Sequence, residues 1–264
     1  MLVKGTAVDL VILVITAIGI AYFGWKTKKG KEYRLRTFPA IEAIDEICGR
    51  AAEMGRPVHF APGDVAYLTG INAPMTLAAM SILRHTARKC AEKGARLIAT
   101  CGGYQGAGSD LIPLMQDVVQ SGYMEAGKAE EYDPSIVRFI SPEQQAYVAG
   151  TIGLFAREKI AGNIMVGAWA GAHPAVAEYG FRVGAMQVGG TARGMIMGPL
   201  SVMCQYILIT DELYAAGAAI SKEPEQIGSL MVEEVLKYIA VGITLVGALL
   251  ITVGIPLIKD LLAM

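Results

Sequence analysis

Charge is scarce in this chain: Asp, Glu, Lys and Arg make up 18% of its 264 residues, against about 25% in an average soluble domain. That shortage excludes a disordered or fibrous protein and points away from a purely soluble one. The net charge is -1, which excludes nucleic acid as a global electrostatic partner. The four cysteines, Cys48, Cys90, Cys101 and Cys204, are scattered with no CxxC pair. Neither a disulfide framework nor a metal site follows from such spacing, and they read as reduced, buried thiols. The three histidines, His59, His85 and His173, have no partner at ligand spacing. No HExxH, GxSxG, SxxK or P-loop string occurs, so no reaction and no cofactor is specified by motif.

Two long apolar runs are present. Residues 10–25 carry no charge and extend to about 20 residues with the turn before them, the length that spans a ~30 Å hydrocarbon core at ~1.5 Å per residue. The basic residues follow this run: Lys26, Lys28, Lys29, Lys31, Arg34 and Arg36, opposed by Glu32 alone. A cleaved signal peptide carries its basic flank in front, so a retained anchor is the expectation. Residues 238–258 form a second uncharged run between Lys237 and Lys259. Basic residues stay on the cytoplasmic side, which predicts a two-pass protein of the cell membrane with the central region cytosolic and both termini outside. The basic cluster is expected to meet anionic headgroups of the lipid bilayer. Ala240, Thr244, Ala248 and Thr252 recur every four residues and share one helix face, a packing surface for the other span or for a second subunit. Ala17 and Ala21 offer a shorter version.

The organisation expected is therefore an N-terminal span over 1–25, a basic linker over 26–37, a domain over 38–236 and a C-terminal span over 237–264. Within the domain, strand and helix signals alternate. Helices are predicted over 38–54, 74–93 and from 109 or 110. Further helix starts are read at Ser141-Pro142-Glu143, at His173 or Pro174, at Thr210-Asp211-Glu212, and near Pro224 running into the second span. Asn72 is read as a side-chain cap and Gly94 as a stop. Short apolar strands fall over 57–60, 96–100, 136–140, 163–168, 185–188 and 205–209. This is an α/β pattern, a Rossmann-like doubly wound and mostly parallel sheet flanked by N- and C-terminal transmembrane helices.

Ligands of open α/β sheets bind beyond the carboxyl ends of the strands. One loop there holds Gly102, Gly103, Gly106, Gly108 and Ser109, where backbone N–H groups would attract an anion, or where glycine serves the turn alone. Its spacing is neither GxGxxG nor a P-loop. A second loop, 167–173, ends in His173, a candidate base or simply a packed ring. A third holds Gly189, Gly190 and Arg193, a cation among glycines suited to a carboxylate or phosphate. The carboxylates of Asp211 and Glu212 are accounted for by the helix start they occupy. The run 195–203, rich in Met and broken by Gly and Pro, reads as core or as a subunit contact.

The stretch Phe38-Pro39-Ala40-Ile41-Glu42-Ala43-Ile44-Asp45-Glu46, followed by Gly49-Arg50-Ala51-Ala52-Glu53-Met54-Gly55-Arg56-Pro57-Val58-His59-Phe60, resembles an uncharacterised prokaryotic membrane-protein domain family of unknown function. The resemblance implies a prokaryotic source and supplies no catalytic residue. Two functions follow as expectations. One is a membrane-anchored scaffold that assembles as a homo-oligomer. The other is a membrane-tethered enzyme or sensor binding a nucleotide or another small anionic ligand at the glycine loops.

Overall fold

The computed structural model describes residues 7–31, 33, 36–103 and 110–252. They fall into two compact units, Arg36–Ile220 and the two chain ends, Met1–Leu35 with Ser221–Met264.

The unit of the chain ends is a helix pair, α1 (Ala7–Lys28) and α9 (Pro224–Thr252). Both are long and apolar enough to cross a membrane, with mean hydropathies of 1.8 and 2.1 in their apolar stretches, and almost none of that surface is buried. The core helix of a soluble protein would hide it. The helices run antiparallel and meet through glycine: a Cβ on Gly19 would lie 2.7 Å from Val232, and one on Gly228 would lie 2.9 Å from the Ile20 carbonyl oxygen and 3.0 Å from the Gly24 nitrogen. Only hydrogen at these positions lets the backbones approach so closely.

The other unit contains α2 (Pro39–Met54), β1 (Val58–Ala61), α3 (Ala73–Lys93), β2 (Leu97–Cys101), α4 (Leu111–Glu125), β3 (Val137–Phe139), α5 (Gln144–Glu158), β4 (Gly162–Val166), α6 (His173–Arg182), β5 (Met186–Thr191), α7 (Gly194–Met203), β6 (Tyr206–Ile209) and α8 (Asp211–Ser221). All pairings are parallel and the strand order is β3-β2-β1-β4-β5-β6. That is the doubly wound order, with its reversal between β1 and β4. Helices α2, α3, α4 and α8 cover one face, and α5, α6 and α7 cover the other. Strand residues alternate between the two cores: Val58 and Phe60 face the first, Ala61 and Ile98 the second.

Local signals acted where expected at several boundaries. Gly55 and Gly94 close α2 and α3 with φ of 62° and 73°, left-handed values that glycine adopts without steric cost. Three boundaries differ from expectation. Asn72 has helical backbone angles and makes no side-chain cap; tertiary partners described below hold its amide instead. α5 starts at Gln144, because Glu143 is extended and its N–H is taken by the Ser141 hydroxyl at 3.1 Å. β5 continues to Thr191, so Gly189 and Gly190 belong to a strand and not to a loop. The Met-rich run forms α7 around Pro199, burying Ile196 and Leu200 while Met195 and Val202 stay exposed.

Candidate functional site

The reversal of strand order leaves a crevice between the loops that follow β1 and β4, and these loops touch backbone to backbone. The N–H of Ala168 donates to the Pro62 carbonyl at 2.8 Å, and that of Val65 to the Ala168 carbonyl at 3.2 Å. Gly63 and Gly167 permit this with φ of 117° and 136°; a Cβ on Gly63 would sit 1.8 Å from the Ala168 carbonyl oxygen.

Asp64 is fully buried at this junction. Its Oδ1 accepts the N–H of Ala170 at 2.6 Å, and its Oδ2 accepts those of Gly171 at 3.1 Å and Ala172 at 3.0 Å. The Gln144 side-chain amide, from the start of α5, also donates to Oδ2. Every partner is a donor, which suits an acceptor-only carboxylate. The loop leading into α6 is thus neutralised from within, its amides already holding an internal anion. Gly103, just after β2, packs against this residue: a Cβ there would lie 2.5 Å from the Asp64 carbonyl oxygen.

Beside this junction opens a cleft of about 630 Å3, within the ordinary range for small-ligand sites. Val65 and Tyr67 from the β1 loop form one wall, Ala170 and Gly171 another, and Asn72, Gln144 and Arg193 contribute the polar side chains. Arg193 is half-buried. One guanidinium nitrogen donates to Asn72 Oδ1 at 2.9 Å and the other to the Trp169 carbonyl at 3.5 Å. Asn72 is itself fixed, its amide nitrogen donating to the Val65 carbonyl at 2.9 Å. Both acceptors are neutral, and no carboxylate pairs with Arg193 among the described residues. Its charge is therefore positioned but not neutralised.

The other expected loop residues divide as follows. Gly102 and Gly103 serve close packing, with a Cβ on Gly102 only 2.5 Å from the Ser141 carbonyl oxygen. Gly106, Gly108 and Ser109 lie outside the described residues. Gly189 and Gly190 abut Cys204 and Leu208, away from the cleft lining. His173 is 4% exposed, and neither ring nitrogen has a hydrogen-bond partner among the described residues. Burial lowers its pKa, with the Asp64 carboxylate opposing, so a neutral ring is held behind the site and is not one of the cleft-lining residues. Glu212, in the first turn of α8, turns back to accept the N–H of Ile209 at the end of β6 at 3.1 Å.

The sequence matches the domain family of unknown function DUF6754 over residues 2–262. The chain belongs to this family. No curated protein and no solved structure matches it. The matched span takes in both apolar helices together with the α/β unit.

In this DUF6754 chain, the surface residues of the helix pair fall as follows. Lys26 lies 4.4 Å from the Tyr22 ring centroid, Lys29 lies 3.8 Å from that of Trp25, and Lys31 lies 5.1 Å from that of Tyr33. Lys28 pairs with Glu225 at 2.6 Å. Arg36 lies in the α/β unit and approaches Glu212 at 3.7 Å, and Arg34 lies outside the described residues. Ala240, Thr244, Ala248 and Thr252 are exposed, and both threonine hydroxyls donate to carbonyls of their own helix at 2.8 Å.

Sequence reasoning missed two features. Asp64 is a single acid in a loop, with no spacing to mark it. The second is a hydrogen-bonded row across the sheet on the α5–α6–α7 face. His59 Nδ1 lies 2.8 Å from Asn163 Oδ1 and its Nε2 lies 2.8 Å from Thr100 Oγ1. Asn163 donates to Gln187 at 2.6 Å, and Gln187 donates to the Ala177 and Met203 carbonyls. The pairing register sets His59 opposite Asn163 and Asn163 opposite Gln187, so the row is a product of strand pairing. One direction satisfies it: Asn163 gives its amide hydrogens to Gln187, so His59 Nδ1–H donates and Nε2 accepts from Thr100. Thr100 can then accept from the Tyr147 hydroxyl, 3.3 Å away.

Proposed function

We propose that this protein is a membrane-anchored α/β module that binds a small anionic ligand in the cleft at the strand-order reversal. The observation that carries the reading is Arg193, a half-buried guanidinium held at the cleft by the neutral acceptors Asn72 and Trp169 and paired with no carboxylate among the described residues. A charge so held is preorganised for an incoming anion. The anchor is the α1–α9 pair, with the aromatic and basic residues Tyr22, Trp25, Lys26 and Lys29 at a headgroup boundary. The basic flank supports a cytosolic α/β unit with both termini outside, by the positive-inside rule.

The test is native mass spectrometry of the gently detergent-extracted protein. A small-molecule adduct retained by the wild type and lost, at least tenfold in occupancy, in Arg193→Gln is the expected result. An adduct indifferent to this change would sink the assignment.

The exposed face of Ala240, Thr244, Ala248 and Thr252 favours a second reading, self-assembly through the membrane helices, because α1 leaves it open. Ala240→Leu with Ala248→Leu should then reduce the oligomer to a smaller species in the same spectra. An unchanged mass removes this reading.

A further inference from the structure

From the chemistry around Arg193 we infer that the ligand is an organic monocarboxylate with an apolar body, and not a phosphate ester or a nucleotide. This rests on the anion-binding reading above and narrows it.

Phosphate sites in parallel α/β folds are built from several backbone N–H groups at a helix start. On the α6 side of the crevice the N–H groups of Ala170, Gly171 and Ala172 are consumed by Asp64. The same carboxylate places a fixed negative charge directly behind the Ala170–Gly171 wall of the cleft, and like charge there disfavours a dianion more than a monoanion. Among the described cleft residues the only cation is Arg193, so a singly charged group is matched and a doubly charged one is left half-compensated.

The donor geometry agrees. Each terminal nitrogen of a guanidinium carries two hydrogens and the inner nitrogen one. The bonds to Asn72 and the Trp169 carbonyl use one on each terminal nitrogen, leaving one on each and the inner N–H. Guanidinium N–H groups taken as a neighbouring pair match the two oxygens of a carboxylate. Of the two Asn72 amide hydrogens, one is given to the Val65 carbonyl. Val65, Tyr67 and Ala170 supply apolar surface, and about 630 Å3 exceeds what a carboxyl group alone would fill.

The experiment is calorimetric titration of the full chain in detergent with hexanoate, benzoate, inorganic phosphate and AMP, for wild type, Arg193→Gln and Arg193→Lys. Circular dichroism confirms that each variant is folded, and the lysine variant keeps the charge while losing the fork. We expect hexanoate or benzoate to bind wild type at least tenfold more tightly than phosphate or AMP, and both variants to weaken that binding at least tenfold. Arg193-dependent binding of phosphate or AMP that equals or exceeds that of the carboxylates overturns the ligand class and leaves the anion reading standing. If none of the four probes binds in an Arg193-dependent way, the anion reading falls with it.

Discussion

Asp64→Ala is expected to destabilise the α/β unit by about 3–5 kcal/mol, lowering the melting temperature of the detergent-solubilised chain by about 10 °C. The wild-type carboxylate is fully buried and satisfies three backbone N–H groups and the Gln144 amide. Removing it strands these donors, each at about 1–3 kcal/mol where water cannot replace the partner. Some relaxation of the β4 loop keeps the total below the simple sum. Asp64→Asn tests the cause separately. It retains the volume but turns one oxygen into an NH2 that faces other donors, so a loss of at least about 2 kcal/mol is expected. A melting temperature unchanged in both variants would contradict the role given to this group. A loss in the alanine variant alone would assign the effect to packing.

His59→Leu should cost about 2–4 kcal/mol at neutral pH and should also flatten the dependence of stability on acid. The leucine fills most of the space but leaves Thr100 and Asn163 without their partner. The pH effect has a definite sign. Burial lowers the His59 pKa from 6.5 to about 4, with the bond to Asn163 opposing. An unfolded chain takes up this proton near pH 6.5, whereas the folded chain resists until about pH 4. The stabilising contribution is therefore complete above pH 6.5 and is lost as the pH falls towards 4, by about 3 kcal/mol in total. His85 and His173 are displaced in the same direction, also chiefly by burial. Denaturant unfolding at pH 7.5, 6 and 5 should show wild-type stability declining through this window and a shallower decline in His59→Leu. An identical slope in the two proteins would refute the assignment of the proton to His59.

Where the chemistry was local, it was legible in the residues. The two apolar helices follow from runs free of charge, which cost nothing to place in lipid and too much to leave in water. Gly55 and Gly94 announce helix ends because only glycine takes their left-handed angles cheaply. The alternation of short apolar strands with helices is enough for a parallel sheet covered on both faces, and the structure has that sheet. Arg193 was also visible, as a cation standing among glycines.

Its partner was not visible. Asn72 lies 121 residues away in the chain and read as a helix cap, because an Asn before a helix is normally recruited by the nearest free N–H. Tertiary approach offered it stronger partners, Arg193 and the Val65 carbonyl. Gly189 and Gly190 looked like a loop because glycine weakens isolated strands; pairing with β4 and β6 on both sides made them strand. Asp64 and the backbone amides it holds are 106 to 108 residues apart, and His59 is 104 from Asn163. The sequence by itself determined most element types, the two long apolar helices and the basic flank, through short-range periodicity and charge. Only the tertiary structure decided which loop amides Asp64 holds and that Arg193 meets the neutral acceptors Asn72 and Trp169. The order of strands, and not their spacing in the chain, sets which loops meet at the crevice.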